Sequence, residues 1–192
     1  MEFLDYSQTA EQLGRGGLRL SEHGEDETSL LDIAVSHDEL RTLVITASGG
    51  TPPSDLPCDA SIEAGEDLGQ AGEAVLALMH LAETLVFPTG RWRDVLDVAA
   101  FELASQDRWL DIDSEATLHQ NRRDPLLIPP ADKHILGVLM RACADLGEGP
   151  GSNLLVTSFD APLVIQSHHE GYLLVQCVSD PVLDNLVGGF TG

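Results

Sequence analysis

The chain has 192 residues, enough for one sizeable domain, and its 43 % hydrophobic but only 5 % aromatic content makes the expected core aliphatic. Thirty-two acids against ten bases leave a formal charge of −22, with Lys133 the only lysine; this field repels phosphate backbones and anionic lipid surfaces and argues against nucleic acid or membrane as direct partners. Cys58, Cys143 and Cys177 are odd in number, far apart and without C-x-x-C spacing, so they read as free, buried thiols of a reducing cytoplasm.

Tyr6 to Leu13 reads as a short helix with Ser7 or Thr9 as its cap and Gly14 as its stop. Leu18 to Glu22 follows as an edge strand, and His23 to Glu27 as an acidic turn. In Leu30 to Ser48, Ile33 and Val35 alternate on one strand and Leu43-Val44-Ile45 form a β-branched run on the next. With His37-Asp38-Glu39 as the polar turn between them, residues 18–48 read as a three-stranded meander. Residues 49–72, rich in Pro, Gly and acids, read as a mobile loop over one face.

Ala74 to Val86 carries Val75, Leu78, Met79, Ala82, Leu85 and Val86 at helical spacing, and Phe87-Pro88-Thr89-Gly90 breaks it. A second helix runs from about Arg91 to Ser105 with Trp92, Val95, Leu96, Ala99 and Leu103 inward. Trp109 to Asp113 and Leu126 to Ile128 read as short extended pieces. Asp132 caps a third helix whose Ile135, Val138, Leu139, Ala142, Cys143 and Leu146 form a clean stripe ended by Gly147. After a Gly149-Pro150-Gly151-Ser152 connector, Leu154–Phe159, Leu163–Ser167 and Tyr172–Val178 form a second meander, turning at His169-Glu170-Gly171. Asp180 to Val187 reads as a closing helix. The fold class expected is therefore α+β: a single domain over 1–192, two antiparallel β-meanders with three main helices packed on the sheet.

The candidates for chemistry are few. His168-His169-Glu170 holds good divalent-metal ligands, yet successive strand residues point to opposite faces, so a solvated turn is the reading. Asp111-Ile112-Asp113-Ser114-Glu115 alternates acids as a calcium loop does, but Ala116 stands where that loop needs Gly. Ser36-His37-Asp38 has triad residue types, but contiguous residues cannot nest triad hydrogen bonds, and G-x-S-x-G is absent. Gly14-Arg15-Gly16-Gly17 and Ser48-Gly49-Gly50-Thr51 match no phosphate-binding pattern. His80, within an apolar helix, reads as a core histidine, and Cys143 as a small hydrophobe. No catalytic residue, metal ligand or cofactor is assigned. Arg122-Arg123, with Arg91 and Arg93, is the one candidate basic patch. The acidity itself serves either solvation or docking on a basic protein.

Three segments in order carry a family resemblance. They are Leu31–Val35 with Arg41–Gly49, then Trp92–Ala100 with Trp109-Leu110 and Leu126–Pro130, then Tyr172–Leu186. Together they resemble the suppressor-of-fused-like family, with its arginine-bearing turn, tryptophan-led helix and leucine-rich stretch ending in paired prolines. An extra residue interrupts the first run, and residues 131–162 have no counterpart. The resemblance implies an α+β protein-binding module, in bacteria often an immunity protein that binds and neutralises a toxin, and it carries over no catalytic residues.

The expected function is a non-enzymatic, cytoplasmic protein-interaction domain. The alternatives are an acidic secretion-chaperone-like dimer and a metal-dependent hydrolase using His168, His169 and Asp111. Met1–Asp5 lacks the basic start and apolar core of a signal peptide, and no run reaches the ~20 apolar residues of a membrane helix. Leu154-Leu155-Val156-Thr157 is apolar on both faces, so it is either central in a sheet or the seam of a homodimer, to which the sequence reading leans.

Overall fold

The computed structural model describes residues 1–23, 28–35, 39–80, 83–89, 92–104, 107–118, 124–147 and 153–191. In chain order the elements are β1 (Glu2–Phe3), α1 (Tyr6–Arg15), β2 (Leu18–His23), β3 (Thr28–Ile33), β4 (Arg41–Thr46), β5 (Ala60–Glu63), α2 (Leu68–Met79) and β6 (Thr84–Pro88). They continue with α3 (Trp92–Leu103), α4 (Asp107–Leu118), β7 (Leu126–Ile128), α5 (His134–Leu146), β8 (Leu154–Thr157), β9 (Leu163–His168), β10 (Tyr172–Cys177) and α6 (Asp180–Thr191). The class is α+β.

Eight strands make one mixed sheet in the order β1-β7-β6-β8-β9-β10-β4-β5, while β2 and β3 form a separate two-stranded ribbon. All neighbours in the large sheet are antiparallel except β4 and β5, which run parallel. Side-chain alternation along each strand divides the apolar residues between two faces. Leu43, Ile45, Val86, Val156, Ile165, Leu173 and Val175 point to a helical face. There they meet Val75 and Leu76 of α2, Leu96 of α3, and Leu136 and Leu139 of α5. Leu85, Phe87, Leu155 and Val164 point to the other face, where Leu13 of α1 and Leu18 and Leu31 of the ribbon cover them.

Local chemistry fixes several element ends. The Asp5 carboxylate, rather than Ser7 or Thr9, caps α1 by accepting from the Gln8 amide at 2.8 Å, and the helix passes through Gly14 to Gly16. Asp67 and Gln70 form a reciprocal capping box at the start of α2. Buried Asp124 ties three elements together. Its side chain accepts from the Tyr6 amide at 2.8 Å and its carbonyl from the Trp92 indole at 3.0 Å, while Phe3 packs edge-on against Trp92.

The layout departs from the sequence expectation in five ways. β3 and β4 are not a hairpin: β3 pairs with β2 in the ribbon, and β4 pairs with β10 and β5 in the main sheet. There is therefore one β8-β9-β10 meander, not two. Residues 49–72 hold β5 and the first turn of α2. The predicted Ala74–Val86 helix ends at Met79, and Leu85 and Val86 belong to the buried strand β6. Trp109–Asp113 is helical, within α4, so six α-helices stand among the described residues where five were expected, three of them as the main ones. Asp132 lies in a short 3-10 turn rather than capping α5, whose N-cap is Lys133. The inward residues of α3 and the stripe of α5 are as the spacing predicted, with Leu146 half-buried.

Candidate functional site

The apolar cover on the ribbon face stops part-way across the sheet. One lateral row, followed through the registers, reads Phe87, Leu155, Gln166, Leu174, Val44, Ser61. Its first two members lie under α1 and the ribbon. From Gln166 onward the same face continues as Gln166 and His168 of β9, Tyr172, Leu174 and Gln176 of β10, and Thr42, Val44 and Thr46 of β4. Apart from buried Val44 and Tyr172 these residues are half-buried, and none is an Asp, Glu, Lys or Arg.

Residues 47–59 wall this surface. The wall is fastened to the β9–β10 turn: the Ala47 amide donates to the Gly171 carbonyl at 3.0 Å and the Thr51 amide to the Glu170 carbonyl at 2.9 Å. A Cβ on Gly50 would stand 2.1 Å from the Gly171 carbonyl oxygen, and Gly171 itself has φ +81°, so both positions need glycine. At the other end the Thr42 amide donates to the Asp59 carboxylate at 2.7 Å, and the Asp59 amide donates back to the Thr42 carbonyl at 2.8 Å. Two adjoining cavities lie between wall and sheet and share Leu56 and Cys58. One, of about 360 Å³, reaches Thr42, Leu174 and Gln176. The other, of about 240 Å³, lies between Pro52-Pro53 and Val44 with Ser61. Acids border the surface: Asp55 and Asp59 on the wall, Glu63 on β5 and Glu170 on the turn.

At one end of the surface sits the His168-His169-Glu170 group. The turn brings His169 and Glu170 each against His168, but not into a set of three that could hold one ion. The His168 ring stacks on Tyr172 at 4.5 Å and on His169 at 4.6 Å, and its Nδ1 lies 3.3 Å from a Glu170 oxygen. The His169 amide donates to Asn153 Oδ1 at 3.1 Å. Burial, with the neighbouring His169, holds His168 below its ordinary 6.5, against the opposing pull of Glu170. His168 is therefore neutral at pH 7 despite the nearby carboxylate. The unfolded chain protonates this imidazole first as pH falls below 6.5, so stability drops as acid is added and levels off below the depressed folded value. Measured between about pH 8 and pH 5, the melting temperature of the wild type minus that of His168→Gln should fall towards acid. A difference independent of pH would show that the imidazole is not depressed.

The other sequence candidates do not join this group. Asp111 is exposed on α4, whose Trp109 and Ile112 belong to the helical-face core, so the sheet lies between it and His168. The acids from Asp111 to Glu115 are helical and cannot wrap an ion. No group of three metal-ligating side chains is assembled among the described residues. Ser36, His37 and Asp38, with Arg91, Arg122 and Arg123, lie outside the described residues. Arg93 pairs with Asp97 and, at 3.1 Å, with Asp113. His80 is an exposed left-handed residue (φ 52°) closing α2, not a core histidine. Cys143 and Cys177 are buried as expected whereas Cys58 is exposed, and burial pushes the Cys143 thiol up to about 12, far from a nucleophile's range.

Comparison with known family models, curated proteins and solved structures brings out no match. The site is thus read from its own chemistry. Sequence inspection missed it because Gln166, Leu174, Val44 and Thr42 become one surface only through the β9-β10-β4 registers. The available signal was the absence of charge at alternate positions of these three strands in a chain of net −22.

Proposed function

We propose that the chain is a non-enzymatic, cytoplasmic protein-interaction domain that receives a basic partner on the walled surface of β9, β10 and β4. One observation carries the reading: an uncharged, half-open sheet surface bordered by carboxylates, in a chain of net −22. Such a surface offers apolar contact and amide or hydroxyl hydrogen bonding at its centre, with attraction for positive charge at its rim. The resemblance to suppressor-of-fused-like domains points the same way, towards a binding module of the immunity type. No helix among the described residues is long and apolar enough to cross a membrane.

The dimer reading has lost its strand. β8 is central, between β6 and β9, and all four of its residues are buried, so its two-sided apolarity is explained without a second subunit.

The test is affinity capture from native lysate with the wild type and Leu174→Lys, a substitution at the centre of the surface. A basic protein should be held by the wild type, released steeply between roughly 0.05 and 0.5 M salt, and not held by the variant. Equal capture by both proteins, or capture insensitive to salt, would remove the proposal.

A further inference from the structure

We infer that the outer edge of β5 is where the partner engages its backbone, as an extended basic segment added to the sheet. This rests on the interaction reading above and supplies its mode. The Ala64 amide donates to the Thr46 carbonyl at 2.9 Å, and Ile62 stands opposite Ile45 in the parallel register. Alternate residues of a strand turn their backbone groups to the same side, so Ile62 and Ala64 face β4, and Ser61 and Glu63 face outward. No hydrogen bond among the described residues uses the outward N–H and C=O groups of Ser61 and Glu63, and both residues are exposed. β5 also ends the strand order. Such a row of unpaired groups is a template for another strand.

Charge selects what can use it. Residues 42–90 contain neither Lys nor Arg, and Asp55, Asp59, Glu63 and Glu66 cluster on and around β5. Two β5 edges from two copies of this chain would bring like carboxylates onto one seam, which opposes self-pairing. A basic segment meets the opposite condition. Ser61 and Glu63 share the ribbon face, and Ser61 lines the cavity of about 240 Å³ beside Pro52, Pro53 and Leu56. An added strand with an apolar and a basic residue two positions apart would therefore set the apolar one at the cavity and the basic one at Glu63.

The probe is the peptide acetyl-Lys-Thr-Val-Thr-Lys-Thr-Val-amide. Its twin, N-methylated at the three central residues, keeps the side chains but cannot pair as a strand. Amide exchange and binding are followed on the full chain by NMR. The wild type should bind the probe, protect the Ser61 and Glu63 amides, and bind the twin about tenfold more weakly, as the loss of two strand hydrogen bonds gives. Ser61→Pro removes one outward N–H and leaves the β4 ladder intact. It should keep the melting temperature and weaken the probe about threefold, as the loss of one such hydrogen bond gives. Equal binding of probe and twin, protection confined to other residues, or β5-mediated self-association in sedimentation would each overturn the inference. The lysate experiment separates the two readings. A protein lost by Leu174→Lys but kept by Ser61→Pro would remove the edge and leave the interaction surface standing. A protein kept by both variants would remove both.

Discussion

Replacing Phe87 by Ala should destabilise the protein by about 3–5 kcal/mol, the range for emptying a buried aromatic site. Phe87 is fully buried on β6, opposite Leu155 of β8, and it anchors the cluster that binds α1 and the ribbon to the sheet. That cluster is small, so few neighbours can collapse into the space left behind. Urea unfolding followed by circular dichroism measures the loss. The change should fall on the ribbon side first: hydrogen exchange of β2 and β3 should accelerate more than that of α5. An unchanged urea midpoint would mean that the ribbon face is not a core at all, and the walled surface beside it would lose its floor.

Leu139→Ala should cost about 2–5 kcal/mol on the opposite face. Leu139 is fully buried in α5, the helix that packs between α2 and α3 and onto β9. Its cluster is the larger one and includes Trp92, Trp109 and Leu96, so this substitution should lower global stability rather than loosen one element. The readout is the urea midpoint together with uniform acceleration of exchange across α2, α3 and α5. Loss of α5 protection alone would show the helix to be peripheral.

The close crossing of α2 and α5 explains one misreading. A Cβ on Gly69 would meet the Gly137 carbonyl at 2.5 Å, and one on Gly72 would meet Met140 Sδ at 2.1 Å. In the sequence, Gly65, Gly69 and Gly72 look like loop glycines. Two of them are instead small surfaces that let two helices approach, and local sequence cannot tell those uses apart. Leu85-Val86-Phe87 fails for a related reason. A strand buried on both faces has no alternation, so its apolar run continues the helical pattern before it. In α4 the opposite happened: Asp111-Ile112-Asp113 alternates like a strand, while Trp109 and Ile112, three apart, face one core.

What the sequence determined by itself is therefore local and compositional. It contained the α+β class, the α3 and α5 faces, the β8-β9-β10 meander with its turn at Gly171, the Gly147 stop, and the acid excess. These rest on periodicity, turn chemistry and charge, which act between near neighbours or over the whole chain. Tertiary structure alone decided that β3 leaves β4 for β2, that Val44 pairs with Leu174, and that β8 is central. It also decided that Gly50 locks against Gly171 to raise a wall over the sheet. The physical reason is that a strand's edges carry the same backbone groups whatever its sequence. The choice of partner is made by the burial that each pairing completes elsewhere, and no single stretch of chain contains that information.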